Sequence, residues 1–351
     1  MWDDHCANFR IGTLTRAATA LASATPLTIW AVSDGRVGIE AQVLGLAEAI
    51  ARRRPASVVV KRLAWRGGWL GRNLPGPIPF PQLVLRADTP IAPPWPDIWI
   101  GAGRASLPFS RRIRRWSDGR TFVVQAQDPR GGLEAFDLVI PPVHDQVTGP
   151  NVLPIVGAPN RMNPEGFAQA LARFAARIDP LPHPRVAMIV GGKSRSHDLP
   201  PERARAMAAA VAQAVKASGG SLMLSFTRRT PEPARRLLAE GLAEVPGWIW
   251  DGQGDNPYFA FLAAADVILV TADSTNLATD AAATGKPIHI LEMAGGAQKF
   301  GRFHEDLRRR GIIRPFVGAL QAWAYPPLDE TGRAADELLR RFDARGGATR
   351  L

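Results

Sequence analysis

A stretch of small polar residues directly follows a strongly apolar segment late in the chain. Residues 266–271 read as a buried strand, and a helical pattern begins just after them. The first turn of a helix has free N–H groups at the positive end of the helix dipole, which suits a phosphate. The alternative is a structural helix that Asp273 or Ser274 merely caps. The side chains predicted to hold a nucleotide diphosphate here are Asp273, Ser274, Thr275 and Asn276, with Asp280 accepting from ribose hydroxyls.

Two further apolar segments, 185–190 and 221–226, end in glycine or basic residues. Glycine allows backbone N–H groups to approach an anion, and lysine adds a positive charge, although the spacing is not that of a Walker A motif. Ligands of open α/β sheets bind at the carboxyl ends of the strands, so these ends support the same diphosphate site. The alternative for each segment is that it ends in an ordinary turn whose charged side chains are solvated. The predicted contacts are Gly191, Gly192, Lys193, Ser194, Arg228 and Arg229.

The first strand of the chain, 27–32, ends in a glycine-bearing turn that carries two carboxylates, Asp34 and Glu40. Either could act as a general base if it reaches the hydroxyl of an acceptor. His144, after the predicted strand 136–140, is a further candidate base. Alternatively, Asp34 is only a turn residue, Glu40 only stabilises the positive end of the helix dipole, and His144 only lies in a surface turn.

Apolar strand-like segments alternate with helical patterns almost throughout, which predicts an α/β fold with parallel sheets. Three prolines between residues 180 and 184 cannot continue a helix and form a stiff connector, after which the alternation restarts. We therefore predict two Rossmann-like domains facing a cleft. The expected parts are an extension (1–25), an N-terminal acceptor domain (26–163) whose last strand is 152–156, a linker (164–184), a C-terminal nucleotide-sugar domain (185–328) and a final helix (329–351).

Composition narrows the class of protein. The chain has 351 residues, of which 46% are apolar. Because it has one cysteine, Cys6, we expect no disulfide framework and no metal site built from cysteines, and the reducing cytoplasm is the favoured compartment. The six histidines show no metal-binding spacing. The net charge of +11 comes mostly from arginine, yet no nucleic-acid module accompanies it, so we expect no nucleic acid partner. Asp3 and Asp4 argue against a signal peptide.

The segment 63–96 breaks the alternation and is rich in proline, tryptophan and arginine. Tryptophan favours the headgroup region of a bilayer, and arginine is attracted to an anionic surface. We therefore predict contact with an anionic membrane surface, on the inner face of the plasma membrane, or with a lipid-linked acceptor. The alternative is that these tryptophans pack on the domain core. The residues concerned are Arg62, Trp65, Arg66 and Trp69.

Several spaced motifs resemble the mitochondrial-fission "elongated mitochondria" family, whose many bacterial members are described as glycosyltransferases. The resemblance covers about residues 27–320. The matching segments are Ser33-Asp34-Gly35-Arg36 with Glu40 and Gln42, Gln127-Asp128-Pro129-Arg130, Pro142-Val143-His144-Asp145, Gly157-Ala158-Pro159-Asn160, Gly191-Gly192, Arg228-Arg229-Thr230-Pro231, Asn256-Pro257-Tyr258, Thr271-Ala272-Asp273-Ser274, Gly295-Gly296, Lys299-Phe300 and Phe303-His304.

The resemblance implies the GT-B fold, with a nucleotide-sugar diphosphate on the C-terminal domain and an acceptor on the N-terminal domain. Such enzymes usually work without a metal or other cofactor, using helix dipoles and cationic side chains on the leaving diphosphate. The implied activity is glycosyl transfer to a lipid-linked or envelope acceptor. The plant branch is a fission factor, so a non-catalytic adaptor or membrane-associated scaffold is the alternative. No mitochondrial targeting segment is evident, which favours the enzyme; a sugar-nucleotide epimerase is a third reading.

Overall fold

The structure, a computed structural model, describes residues 26–65, 84–86 and 90–348. Arg66 and Trp69 of the predicted membrane segment lie outside these residues, and the description of Trp65 stops at its backbone. Of that group, only the side chain of Arg62 can be placed.

The N-terminal half forms a five-stranded parallel sheet in the order β2-β1-β5-β6-β7. The strands β3 and β4 pair antiparallel beside it. In this half the elements are β1 (Leu27–Ser33), α1 (Val37–Ala51), β2 (Ala56–Arg62), β3 (Ala64–Trp65), β4 (Val84–Arg86), β5 (Ile98–Gly101), α2 (Leu107–Trp116), β6 (Phe122–Gln125) and β7 (Leu138–Val139), with 3-10 turns at Leu133–Ala135 and Val143–Asp145.

The C-terminal half forms a six-stranded parallel sheet in the order β11-β10-β8-β12-β13-β15. A short antiparallel pair, β9 with β14, joins the loops after β8 and β13. The elements from the linker onward are α3 (Pro164–Ile178), β8 (Arg185–Val190), β9 (His197–Asp198), α4 (Pro201–Ser218), β10 (Ser221–Phe226), α5 (Glu232–Leu242), β11 (Gly247–Ile249), α6 (Tyr258–Ala264), β12 (Val267–Thr271), α7 (Thr275–Ala282), β13 (Ile288–Leu291), β14 (Ala294–Gly295), α8 (Gln298–Arg309), β15 (Ile313–Pro315) and α9 (Glu330–Ala348).

The predicted α/β fold with two parallel, Rossmann-like sheets is confirmed. The central strand β12 is buried along its whole length, as expected for a parallel sheet covered on both faces. The predicted strand 152–156 is wrong: only isolated bridges from Val139 to Val152 and from Pro142 to Ile155 occur there. Prolines on both sides explain the difference, because Pro142 and Pro154 have no N–H to donate to a ladder.

The last helix returns to the N-terminal half. Helix α9 packs on α1, and its Ala334, Ala335 and Leu338 are buried in the core that also contains Leu46 and Ile50. Helix α3 instead packs on α6 of the C-terminal half. The chain therefore crosses between the two halves twice, once before α3 and once before α9.

Candidate functional site

The N-terminal ends of α1 and α7 meet across the cleft between the two halves. The side-chain amide of Asn276 donates to the carbonyl oxygen of Gly38 at 3.1 Å, and Gln42 Nε2 donates to Asn276 Oδ1 at 3.4 Å. The row of amides continues, since Gln127 Nε2 donates to Gln42 Oε1 at 2.9 Å and the N–H of Gly103 donates to Gln127 Oε1 at 3.2 Å. These contacts bring the carboxyl ends of β1, β5 and β6 close to that of β12.

Asp273 is the centre of the polar contacts at the carboxyl end of β12. Its side chain is fully buried, and its Oδ2 lies 2.7 Å from an Arg229 guanidinium nitrogen. The same oxygen accepts from the N–H of Gly192 at 3.0 Å, while Oδ1 accepts from the Thr271 hydroxyl at 2.7 Å. This carboxylate therefore has three donors within the protein, which is what a buried charge requires.

The paired glycines pack closely against this centre. A Cβ on Gly191 would lie 2.1 Å from Asp273 Oδ1, and one on Gly192 would lie 2.0 Å from the carbonyl oxygen of Arg229. The N–H of Gly191 donates to the Thr271 hydroxyl at 2.7 Å. The two amides proposed from the sequence as anion donors thus already have partners, and an incoming diphosphate would have to compete with the Thr271 hydroxyl for Gly191 and with Asp273 for Gly192.

Other predicted contacts at these strand ends remain open to a ligand. Ser274 caps α7, its hydroxyl accepting from the N–H of Leu277 at 3.3 Å. Across the described ranges, the half-buried Thr275 side chain and the exposed Arg228 side chain make no hydrogen bond or ion pair. Lys193, by contrast, pairs with Asp198 at 3.1 Å. The hydroxyl of Ser194 accepts from the N–H groups of Ser196 and His197.

Asp280 lies one turn beyond Asn276 on α7. Its Oδ2 accepts from the hydroxyl of Tyr258, the first residue of α6, at 2.9 Å. Burial raises the pKa of Asp280 to about 7, although the Tyr258 hydrogen bond acts to lower it. Burial and the neighbouring Asp280 raise the pKa of Tyr258 well above its ordinary value, so the phenol stays a donor at neutral pH. Sequence reasoning singled out Asp280 and gave Tyr258 no role beyond its place in the family resemblance.

The two carboxylates after β1 both have cationic partners. Glu40 forms a two-point ion pair with Arg62, with distances of 2.6 and 2.9 Å, and this hydrogen bonding lowers the pKa of Glu40. Asp34 lies 2.8 Å from the Arg36 guanidinium and accepts from the N–H of Arg36. Arg62, assigned from the sequence to a membrane contact, therefore binds a carboxylate of its own domain.

His144 lies in the 3-10 turn after β7 and lines a cleft of about 470 Å³ between this turn and α8. Its side chain is only 5% exposed and packs edge-on against Phe303. Burial, aided by the charge of Lys299, lowers the pKa of His144 to about 4, so the imidazole is neutral at pH 7. Gly157 also lines this cleft and contacts Thr279, which connects the cleft to α7.

Helix α8 joins the two halves and was not predicted. Lys299 pairs with Asp145 at 2.7 Å, and Arg302 donates to the carbonyl oxygen of His144 at 3.4 Å. On the opposite side, burial and the neighbouring His197 lower the pKa of His304 to about 4. Its buried Nε2 has no hydrogen-bond partner among the described residues. The signals for this region were Lys299-Phe300 and Phe303-His304, which contributed to the family resemblance without indicating a site.

Within the described ranges, no three or more His, Cys, Asp or Glu side chains are grouped so that they could hold a metal ion. None of the described helices is both long enough and apolar enough to cross a membrane.

Comparison with solved structures identifies the fold. A UDP-GlcNAc 2-epimerase from Methanocaldococcus jannaschii superposes with a TM-score of 0.52 at 11% identity, covering 90% of this chain and 100% of the other. A second structure of that enzyme, in complex with UDP-GlcNAc and UDP, gives a TM-score of 0.51 at 12% identity over 90% and 99% of the two chains. The fold is of the GT-B type.

Comparison with known sequences identifies the family. Mitochondrial fission protein ELM1 of Arabidopsis thaliana is 30% identical over 282 residues, which is 73% of this chain and 66% of that protein, slightly less than two thirds of its length. The uncharacterized protein RP120 of Rickettsia prowazekii (strain Madrid E) is 24% identical over 353 residues, covering 88% of this chain and 97% of that one. The family model described as "Mitochondrial fission ELM1" matches residues 37–342. This chain therefore belongs to the mitochondrial fission ELM1 family.

Proposed function

We propose that this protein is a GT-B glycosyltransferase that uses a nucleotide-diphosphate sugar. The observation that carries the proposal is the approach of the N-terminal ends of α1 and α7, linked by Asn276 and Gly38. Both helix ends are positive, so a diphosphate placed between them would be stabilised by two dipoles at once. The α7 end also offers the hydroxyls of Ser274 and Thr275, and Arg228 lies exposed at the neighbouring strand end.

The fold and these groups together support the ligand class. The Methanocaldococcus enzyme is a UDP-GlcNAc 2-epimerase, and we extend a nucleotide-sugar ligand to this chain as part of the proposal. In it, Ser274, Thr275 and Arg228 hold the diphosphate, and Asp280 accepts from the ribose. Arg229 and Asp273 maintain the loop that positions them.

His144 is the base that the geometry supports best. Glu40 is engaged at two points by Arg62, so both of its carboxylate oxygens already accept hydrogen bonds within the protein. The His144 imidazole is neutral at pH 7 and lines a cleft formed by both halves of the molecule. We assign the acceptor to this cleft, whose apolar walls include Val143, Val156 and Phe303.

The acceptor in this proposal is carried by a membrane lipid or belongs to the cell envelope, and the protein binds the inner face of the plasma membrane from the cytoplasm. Support comes from the Trp- and Arg-rich composition of residues 63–96. Co-sedimentation with vesicles of anionic phospholipid tests it: the bound fraction should fall with added salt. Equal recovery of the protein in the supernatant with and without anionic vesicles would contradict it.

A non-catalytic adaptor is the second candidate, and one observation favours it. Asp273 occupies the space between Gly191, Gly192 and Arg229 where a phosphate could otherwise sit. A protein that has lost catalysis can fill an anion site with its own carboxylate. The plant relative is named a mitochondrial fission protein, a name that states no enzymatic activity.

Titration calorimetry with UDP and GDP at millimolar concentration separates the two candidates. Binding is expected for at least one nucleotide. The double variant Ser274→Ala/Thr275→Ala should weaken it by about 1–3 kcal/mol, the scale of hydrogen bonds to a charged group. Thr284→Ala is the matched control, because its hydroxyl bonds to Ala281 at the other end of α7. Absence of binding by either nucleotide to folded protein would overturn the enzyme proposal.

A further inference from the structure

Tyr258 and Asp280 form an isolated pair between α6 and α7. The phenol donates to Asp280 Oδ2 at 2.9 Å, and Asp280 makes no other side-chain hydrogen bond within the described part of the chain. An ionised carboxylate can accept about four hydrogen bonds, so the second oxygen, Oδ1, retains its full capacity. Tyr258 therefore fixes one oxygen of Asp280 and leaves the other for a ligand.

The place of Asp280 on its helix suits a nucleoside. Asp280 and Asn276 are four residues apart, so they share a face of α7, and Asn276 points across the cleft to Gly38. Four residues of helix rise correspond to about 6 Å. In a nucleoside diphosphate, one ester bond joins the diphosphate to the ribose. If the diphosphate binds at the first turn of α7, the ribose should therefore lie near Asp280.

We propose that Tyr258 is the positioning residue of a ribose subsite, in which it holds Asp280 so that the free carboxylate oxygen accepts from the cis-diol of a ribonucleotide. The inference rests on the proposed function and adds a selectivity to it: the site should prefer ribonucleoside diphosphates over their 2′-deoxy counterparts. A 2′-deoxy ligand lacks the 2′-hydroxyl, so the partly buried Asp280 carboxylate would lose a hydrogen-bond donor. A site that loses a hydrogen bond in this way discriminates against the ligand that lacks the hydroxyl.

The electrostatics of the pair support this role. Burial and the Tyr258 hydrogen bond are the two influences on the pKa of Asp280, the first raising it and the second lowering it, with a result of about 7. Without the phenol, the pKa would rise further and more of Asp280 would be protonated at pH 7. A protonated carboxyl accepts less well, so loss of Tyr258 should impair ribose recognition at pH 7 and less so at higher pH.

The experiment compares UDP with 2′-deoxy-UDP, and GDP with 2′-deoxy-GDP, by calorimetry at pH 7.0 and 8.5. The wild-type protein should prefer the ribonucleotide by about tenfold, equivalent to one good hydrogen bond. Tyr258→Phe should lose most of this preference at pH 7.0 and regain part of it at pH 8.5. The matched control is Tyr325→Phe, which removes a phenol that donates to the carbonyl oxygen of Lys286. It should keep the wild-type preference at both pH values.

A thermal melt would show whether Tyr258→Phe folds, and Asp280→Asn is the second variant if it does not. Its side chain does not titrate, so its ribose preference should be low and equal at both pH values. A wild-type protein that binds UDP without discriminating against 2′-deoxy-UDP overturns the inference and leaves the proposed function standing. The same holds if Tyr258→Phe keeps the full preference at pH 7.0. Absence of binding by both UDP and GDP overturns the inference together with the proposed function.

Discussion

The side-chain amide of Asn276 donates to the carbonyl oxygen of Gly38 at 3.1 Å and thereby links the first turn of α7 to the first turn of α1. The approach is close, since a Cβ on Gly38 would lie 2.9 Å from Asn276 Nδ2. Two positive helix ends repel each other, so this polar contact offsets a repulsion that a bound anion would remove.

Replacing Asn276 by alanine should therefore open the cleft. Two hydrogen bonds between the halves disappear, each contributing about 1 kcal/mol, while the core of each half is unchanged. Small-angle X-ray scattering should show a larger radius of gyration than for the wild-type protein. Asn163→Ala, which removes the cap of α3 within one half, should lower the melting temperature without enlarging the molecule. An unchanged radius for Asn276→Ala would show that other contacts, such as Lys299 with Asp145, hold the halves together.

Asp273 should be more important for stability than the surface carboxylates. Asp273→Asn replaces a fully buried acceptor of three hydrogen bonds and leaves Arg229 without its partner. Breaking this buried network should lower the free energy of unfolding by about 2–4 kcal/mol, a range that already allows for the partial exposure of Arg229 to solvent. Urea unfolding measures the loss. Asp343→Asn, which breaks an exposed pair with Arg54, is the control and should cost much less. Equal losses in the two variants would contradict this account of Asp273.

The fold could be predicted from the sequence because its strands are long apolar segments. The bounds of β8 and β10 agree with those expected from the pattern. Helix α8 was missed because only Phe303 and Leu307 are buried in a sequence of which half the residues are charged. Strand β15 was missed because it has three residues, too few for a pattern.

The site was only partly predictable, since a sequence shows which groups are present and not which partners they find. Glycine and aspartate after β8 and β12 read as phosphate ligands, yet Gly192 and Asp273 bind each other. Likewise Glu40 and Arg62 were assigned to different functions and form one ion pair. Tyr258 was given no role because its partner, Asp280, comes from another element. Their roles in binding a ligand stay predictions.

Buried histidines should make the protein less stable in mild acid. The pKa of His304 and that of His144 are both lowered from 6.5 to about 4. Between these values the unfolded chain binds protons that the folded chain does not, so the free energy of unfolding falls as the pH falls. For one histidine the loss between pH 7.5 and 5.0 is about 2 kcal/mol.

His304→Leu isolates one of these contributions. Its pH-dependent loss, measured by urea unfolding at pH 7.5 and 5.0, should be smaller than the wild-type loss by about 2 kcal/mol. Asp280, whose raised pKa acts in the opposite direction, is common to both proteins and cancels in the difference. An identical pH dependence in the two proteins would mean that His304 is protonated as readily in the folded chain as in the unfolded one.

The last prediction concerns the base. His144→Gln should reduce the release of nucleoside diphosphate from a nucleotide sugar by about 100-fold, the usual contribution of a general base. Binding of UDP should be unchanged, because His144 lines the cleft proposed for the acceptor and not the end of α7. Glu40→Gln and Asp34→Asn are the controls, and each should keep turnover within a few-fold because their carboxylates are already engaged by Arg62 and Arg36. If His144→Gln keeps full turnover and either control loses turnover, the general base is Asp34 or Glu40 in the segment after β1 and not His144.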